Sequence, residues 1–326
     1  MMDCKQLMWA IVAIAVACGG ATRVLAADTD EVLVLTALPV TYSVAKALTK
    51  DTQVGVQNVP EGGRRMNTQQ SFFSLQAGRL AEQFARADAV ITIGKLWQDD
   101  PLFVASRAAN IRIVDIDATK PWSETLEGVS IALTPASDAP WAEPLANEPR
   151  VPSPYFWLSP SNGARIADIV AQDLMRLAPM DAGQIEANLA AYRRLLLGLK
   201  RDYEVKLAAL ADVTVYALAA ELVYLTTDMG LYVDGYFLKQ DIHWTEADAT
   251  NFEAYLKGNG IRVVLHQWEP SEPIRAAIDA AGARLVVLDV GDAGIVEDGR
   301  LVDDGYERLL RANLEALYQA LLAANE

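Results

Sequence analysis

The run from Pro152 to Leu210 constrains this chain more than any other stretch, because it encodes a helix too long for one small domain. Ser159-Pro160 supplies an N-cap and a first-turn proline. The helix that follows carries Ile166, Ile169, Val170, Leu174 and Leu177 on one face. Ala178-Pro179 ends it, and Asp181 opens a second helix. There Ile185, Leu189, Tyr192, Leu196, Leu199 and Tyr203 recur at steps of four and three, a stripe along one side of a single rod. From Asp181 to Leu210 that rod spans about 45 Å. With strand-rich sequence on both sides, it reads as a spine between two lobes.

The flanks repeat one pattern. Before the spine, apolar runs at Asp30–Ala37, Val54–Val59, Ala89–Ile93 and Ile111–Ile116 alternate with helical segments after Pro39, at Leu75–Arg86 and near Pro101–Ala109. Arg64 to Gln76 reads as a polar loop, and residues 117–154 as a proline-rich crossing. After the spine come strands at Val213–Ala217, Tyr232–Leu238, Ile261–Leu265 and Arg284–Val290, again alternating with helices, and a closing helix at Tyr306–Leu322. Such alternation predicts parallel sheets covered on both faces. The expected architecture is α/β: two lobes, each a mostly parallel sheet with flanking helices, joined by the spine. Boundaries fall at 1–26, 27–154, 155–210 and 211–326.

The first of these segments reads as an export signal, with Lys5 ahead of an apolar stretch from Leu7 to Cys18 and small residues at Val24-Leu25-Ala26. That stretch is too short to span a bilayer. Ala15-Val16-Ala17-Cys18-Gly19 also allows a lipoprotein reading, with Cys18 acylated. Both cysteines, Cys4 and Cys18, lie here, so the body carries neither thiolate metal sites nor disulfides. A formal charge of −15 argues against nucleic acid as a partner. No nucleophile elbow, His-Glu-x-x-His helix or phosphate loop is present, so no enzymatic activity is expected.

Trp157-Leu158-Ser159-Pro160, the long helix after it, Tyr224-Leu225 with Met229-Gly230-Leu231, and Val287-Leu288-Asp289 with Asn313-Leu314 resemble the zinc/manganese-type periplasmic substrate-binding proteins of ABC transporters. The likeness runs through nearly the whole body in order and spacing. It implies two α/β lobes bridged by a long helix, a monomer, and a metal held in the cleft by histidines and carboxylates for delivery to an inner-membrane permease.

The ligand positions implied by that resemblance are mostly altered. Tyr155 stands in place of a histidine before Trp157. Ala219 replaces another, with Glu221 two residues on. After the Pro60-Glu61-Gly62 turn the matched position is Met66, with a register open as far as Phe72. Only the closing aspartate, Asp289, is kept. The body has two histidines, His243 and His266. Zinc prefers four nitrogen or sulfur donors, so an ordinary zinc site is not expected. The candidate metal donors are Asp289, Glu221, His266, Tyr155 and Met66, for a transition metal of undetermined identity. Arg64 and Arg65, after a Gly-Gly turn, are candidate grips for a carboxylate or phosphate. His266 ends a strand, and with Gln267, Trp268 and Glu269 it would face the cleft mouth. The expected solute is a metal ion, a metal complex or a small anion. An accessory protein that has lost its transport ligand is the alternative.

Overall fold

The computed structural model describes residues 31–142 and 150–326. The export signal and Cys18 lie outside the described residues. Strand β1 (Val32–Thr36) feeds helix α1 (Pro39–Leu48), followed by β2 (Val54–Asn58), α2 (Met66–Arg86), β3 (Ala89–Thr92), α3 (Pro101–Ala109) and β4 (Val114–Asp117). These strands form a parallel sheet in the order β2-β1-β3-β4. A mostly irregular crossing leads to α4 (Pro160–Leu177) and the spine α5 (Ala182–Ala208). Then come β5 (Thr214–Ala217), α6 (Val223–Asp228), β6 (Tyr232–Tyr236), α7 (Glu246–Asn259), β7 (Val263–His266), α8 (Glu272–Ala280) and β8 (Arg284–Val287). They make a second parallel sheet in the matching order β6-β5-β7-β8. A short hairpin, β9 (Val296–Glu297) and β10 (Arg300–Leu301), precedes the closing helix α9 (Gly305–Asn325).

Each sheet is buried on both faces, which is why its strands read as unbroken apolar runs. Side chains alternate between faces along a strand. In β1, Val34 enters the large core shared with α1, α4, α5 and α9, while Leu35 enters an outer core with Phe73, Phe84 and Leu102. In β7, Val263 and Leu265 join the shared core and Val264 meets Phe252 and Ile278 outside. The shared core therefore runs through both sheets, and residues 31–326 form one compact unit.

Helix α5 has 27 residues and spans about 40 Å. Ile185, Tyr192, Leu196, Leu199, Tyr203 and Leu207 are buried, as the stripe predicts, while Arg194, Leu197 and Arg201 stay in solvent. α4 begins where Ser159 caps it, its hydroxyl accepting from the Asn162 amide at 3.0 Å. α7 starts with a full capping box between Thr245 and Asp248.

Two elements differ from the sequence reading. The expected loop at 64–76 is helical from Met66, because α2 buries Met66, Gln69 and Phe73 along one side. Gln69 breaks the apolar pattern yet is fully buried, its Nε2 donating to the carbonyls of Ala37 and Arg64 at 2.9 and 3.0 Å. The segment after β8 also leaves the second sheet and crosses onto α1. Gly294 permits the crossing: its φ is +74°, and an added Cβ would stand 2.7 Å from Pro39. The Leu301 amide then donates to the carbonyl of Glu61 at 2.9 Å, and Tyr42 donates to Asp303 at 2.7 Å.

Candidate functional site

The carboxyl ends of parallel strands are where chain leaves the sheet and ligands bind in open α/β folds. Three segments follow such strand ends, the Gly62–Met66 turn after β2, Ala219–Glu221 after β5 and Asp289–Asp292 after β8, and the Ser153–Trp157 turn before α4 meets the last of them. Trp157, 1% exposed, ties two of them together, its Nε1 donating to the carbonyl of Val290 at 2.8 Å. Asn313 on α9 holds the third side. It accepts from the Asp289 amide at 3.0 Å and donates to the Asp289 carbonyl at 2.7 Å. The Asp289 carboxylate is exposed and also accepts from the Gly291 amide at 2.8 Å.

Electrostatics identify what shares this space. Burial pushes the Tyr155 hydroxyl up to about 12, the charges of Asp292 and Glu221 add to that, and Arg65 opposes it. Burial likewise raises the Asp292 carboxyl; Arg65 lowers it, and Asp289 and Glu221 raise it. Tyr155, Glu221, Asp289, Asp292 and Arg65 therefore feel one another across the strand ends. Asp292 is the member that sequence reasoning missed. Its only sequence signal is its place three residues after Asp289, on a loop whose course the sequence does not reveal.

The other candidates separate. Met66, 7% exposed, is the first residue of α2 and packs in the shared core, where its thioether fills space. The Arg64 guanidinium lies over the Phe72 ring, 4.7 Å from its centroid, so the paired arginines do not act as one clamp. His243 is exposed on the turn before α7. His266 is 2% exposed with both ring nitrogens engaged. The Gln267 amide donates to Nδ1 at 2.8 Å, which leaves the proton on Nε2, and Nε2 faces Asp241 Oδ1 at 3.3 Å. Burial lowers the His266 pKa despite that aspartate. This neutral, doubly bonded imidazole has no lone pair to offer a cleft ion.

Among the described residues no three His, Cys, Asp or Glu side chains are grouped so as to hold a metal ion. The donor set around Asp289 and Glu221 thus does not form a cage for a bare divalent ion, which takes its ligands from one converging group. Beside it lies an open recess of about 250 Å³ lined by Leu218, Glu221, Leu238, Lys239, Asp241 and Trp268. That is room for a small molecule. Lys239 does not reach for a solute, since its ammonium pairs with Asp248 at 2.7 Å.

Comparison with known proteins gives the fold a family. Residues 34–320 match the model of ZnuA, the periplasmic component A of the zinc-uptake complex. The chain belongs to this family. A search of curated proteins gives no significant match. Among solved structures, a metal-free single-residue mutant of the periplasmic metal-binding protein from Candidatus Liberibacter asiaticus superposes with a TM-score of 0.66 at 18% identity, covering 89% of this chain and 99% of that one. The solute-binding protein FpvC from Pseudomonas aeruginosa in complex with Ni2+ gives a TM-score of 0.61 at 18% identity, covering 91% and 98%. FpvC in complex with Mn2+ gives 0.63 at 19%, covering 90% and 99%. At these identities the likeness speaks for the fold alone. Among the described residues no helix is long and apolar enough to cross a membrane.

Proposed function

We propose that this protein is the exported solute-binding component of an ABC importer, and that it carries a metal as a complex to an inner-membrane permease. Membership of a periplasmic zinc-uptake family supports the transport role. The Ni2+ and Mn2+ complexes of FpvC support metal as the element carried. The reading rests on one observation: at the strand ends the charges of Asp292, Glu221 and Arg65 act on Tyr155, and those of Arg65, Asp289 and Glu221 act on Asp292, while the nearest histidine, His266, is already bonded at both ring nitrogens. Three carboxylates against one guanidinium favour a solute with net positive charge over a small anion. Too few converging donors favour a metal that arrives with ligands of its own. Binding and release, without bond-breaking chemistry, is the role this donor set suits. Export through the N-terminal segment brings the protein to the periplasm.

The test is uptake by cells with and without the gene, supplied with tracer zinc, manganese or iron as cationic complexes of 2,2′-bipyridine. Deletion lowers uptake of at least one metal severalfold. Wild-type protein restores it, and a Glu221→Ala/Asp292→Ala variant does not. Unchanged uptake of all three metals on deletion would overturn the reading.

A further inference from the structure

An exposed tryptophan at the end of a central strand is costly to leave in water, and here its position is fixed from beneath. Trp268 is 46% exposed. Its Nε1 donates to Asp241 Oδ2 at 3.1 Å, and its ring lies 4.8 Å from the His266 ring, tilted by 45°. The Ser271 amide also reaches Asp241 Oδ2, at 3.3 Å. Asp241, itself bonded to His266, and the His266 ring together hold an indole plate at the rim of the recess, one by a hydrogen bond and the other by ring contact. Burying such groups is unfavourable unless they are bonded, and here Asp241 links the indole, the His266 ring and the Ser271 amide in one connected network. Below it, Leu218 and Ala219 are buried and form an apolar floor. Glu221 lines the same recess, and among the described residues no hydrogen bond or ion pair engages its carboxylate. A fixed aromatic face, an apolar floor and a free carboxylate together define a site for a flat organic group bearing positive charge.

We propose that Trp268 and Glu221 bind the organic part of the solute, a planar aromatic group that carries or coordinates a cation, with the indole stacking on its face and the carboxylate balancing its charge. This deepens the reading of the cleft as a carrier of metal complexes and rests on it. It also accounts for the recess, whose roughly 250 Å³ far exceeds the space of an ion. A bare hydrated metal would have no use for a positioned indole.

The test titrates the full-length mature protein with three probes, following tryptophan fluorescence and calorimetry: zinc(II) alone, 2,2′-bipyridine alone, and the cationic zinc–bipyridine complex. The complex binds and quenches fluorescence, and each component alone binds at least tenfold more weakly. Trp268→Ala weakens the complex by about five- to thirtyfold, in line with a stacking and cation–π contact. Trp268→Phe, which keeps a ring, loses threefold or less, and Glu221→Gln loses about tenfold. Melting of each variant within a few degrees of wild type shows that the fold is kept. The inference is overturned if the complex does not bind, if zinc alone binds as tightly as the complex, or if Trp268→Ala binds the complex like wild type. Loss of this result together with intact metal uptake in cells would remove the aromatic site and leave the transport reading standing.

Discussion

Trp157→Ala unfolds at a markedly lower denaturant concentration than wild type, with a loss of about 3–5 kcal/mol, the range for truncating a fully buried large aromatic. The effect is local in cause and wide in reach. Trp157 contacts the Tyr155 and Phe156 rings at centroid separations of 5.3 and 5.5 Å. Its backbone carbonyl accepts from the buried Tyr306 hydroxyl. Its indole nitrogen holds Val290 next to Asp289. Removing the ring leaves a cavity between the α4 entry and the crossing segment, and it frees the carbonyl of Val290 without a partner. Trp157→Phe keeps most of the volume and loses the hydrogen bond, so it costs about 1–3 kcal/mol. Chemical denaturation of both variants checks the order. Equal stability of Trp157→Ala and wild type would mean that Trp157 does not tie the α4 entry to the segment after β8.

Glu307→Gln has an effect whose size depends on pH. Glu307 sits in the first turn of α9, and its Oε2 is buried with no hydrogen-bond partner, as is the hydroxyl of Tyr192 on α5. Burial raises its carboxyl from 4.5 to about 7; the Asp304 charge adds to the shift, and a hydrogen bond from its own backbone amide and the Arg308 charge oppose it. The sign follows from proton binding. Below about pH 4.5 the group is protonated in both states and costs nothing. Between 4.5 and 7 only the folded state holds the proton, so stability falls as pH rises, and the loss is complete above about pH 8. At about 1.4 kcal/mol per pH unit the span sets an upper value near 3 kcal/mol, reduced by partial exposure to about 1–3 kcal/mol. Glutamine removes the charge and keeps the shape. The variant is thus more stable than wild type at pH 8 by that amount and near equal at pH 4. Thermal melts at both pH values check this, and a gain of the same size at both would refute the ionisation account.

The architecture was open to reading because buried parallel strands leave an unmistakable trace. Val32–Thr36, Val54–Asn58, Ala89–Thr92 and Val263–His266 lie within or close to the expected apolar runs, since both faces of each sheet are covered. The spine announced itself through Ile185, Tyr192, Leu196, Leu199 and Tyr203, all buried at helical spacing. What stayed hidden depends on long-range contacts. Gln69 is polar by sequence and buried by virtue of the Ala37 and Arg64 carbonyls, so the start of α2 looked like a loop. The two-residue strands of β9 and β10 are too short to carry a period. At the site, residue type alone could not show that His266 is already bonded at both nitrogens, nor that it is the charge of Arg65 that acts on Asp292. Those facts belong to loops brought together by the fold, where pattern and propensity carry little information.

The central claim is that the cleft has exchanged a cage for a bare ion for a site that takes a cationic complex. Calorimetric titration of the metal-free mature protein with zinc(II) tests it most directly. Without three converging donors, zinc(II) alone binds no more tightly than roughly 10 µM. Stoichiometric binding in the nanomolar range, abolished by Asp289→Ala, would contradict it.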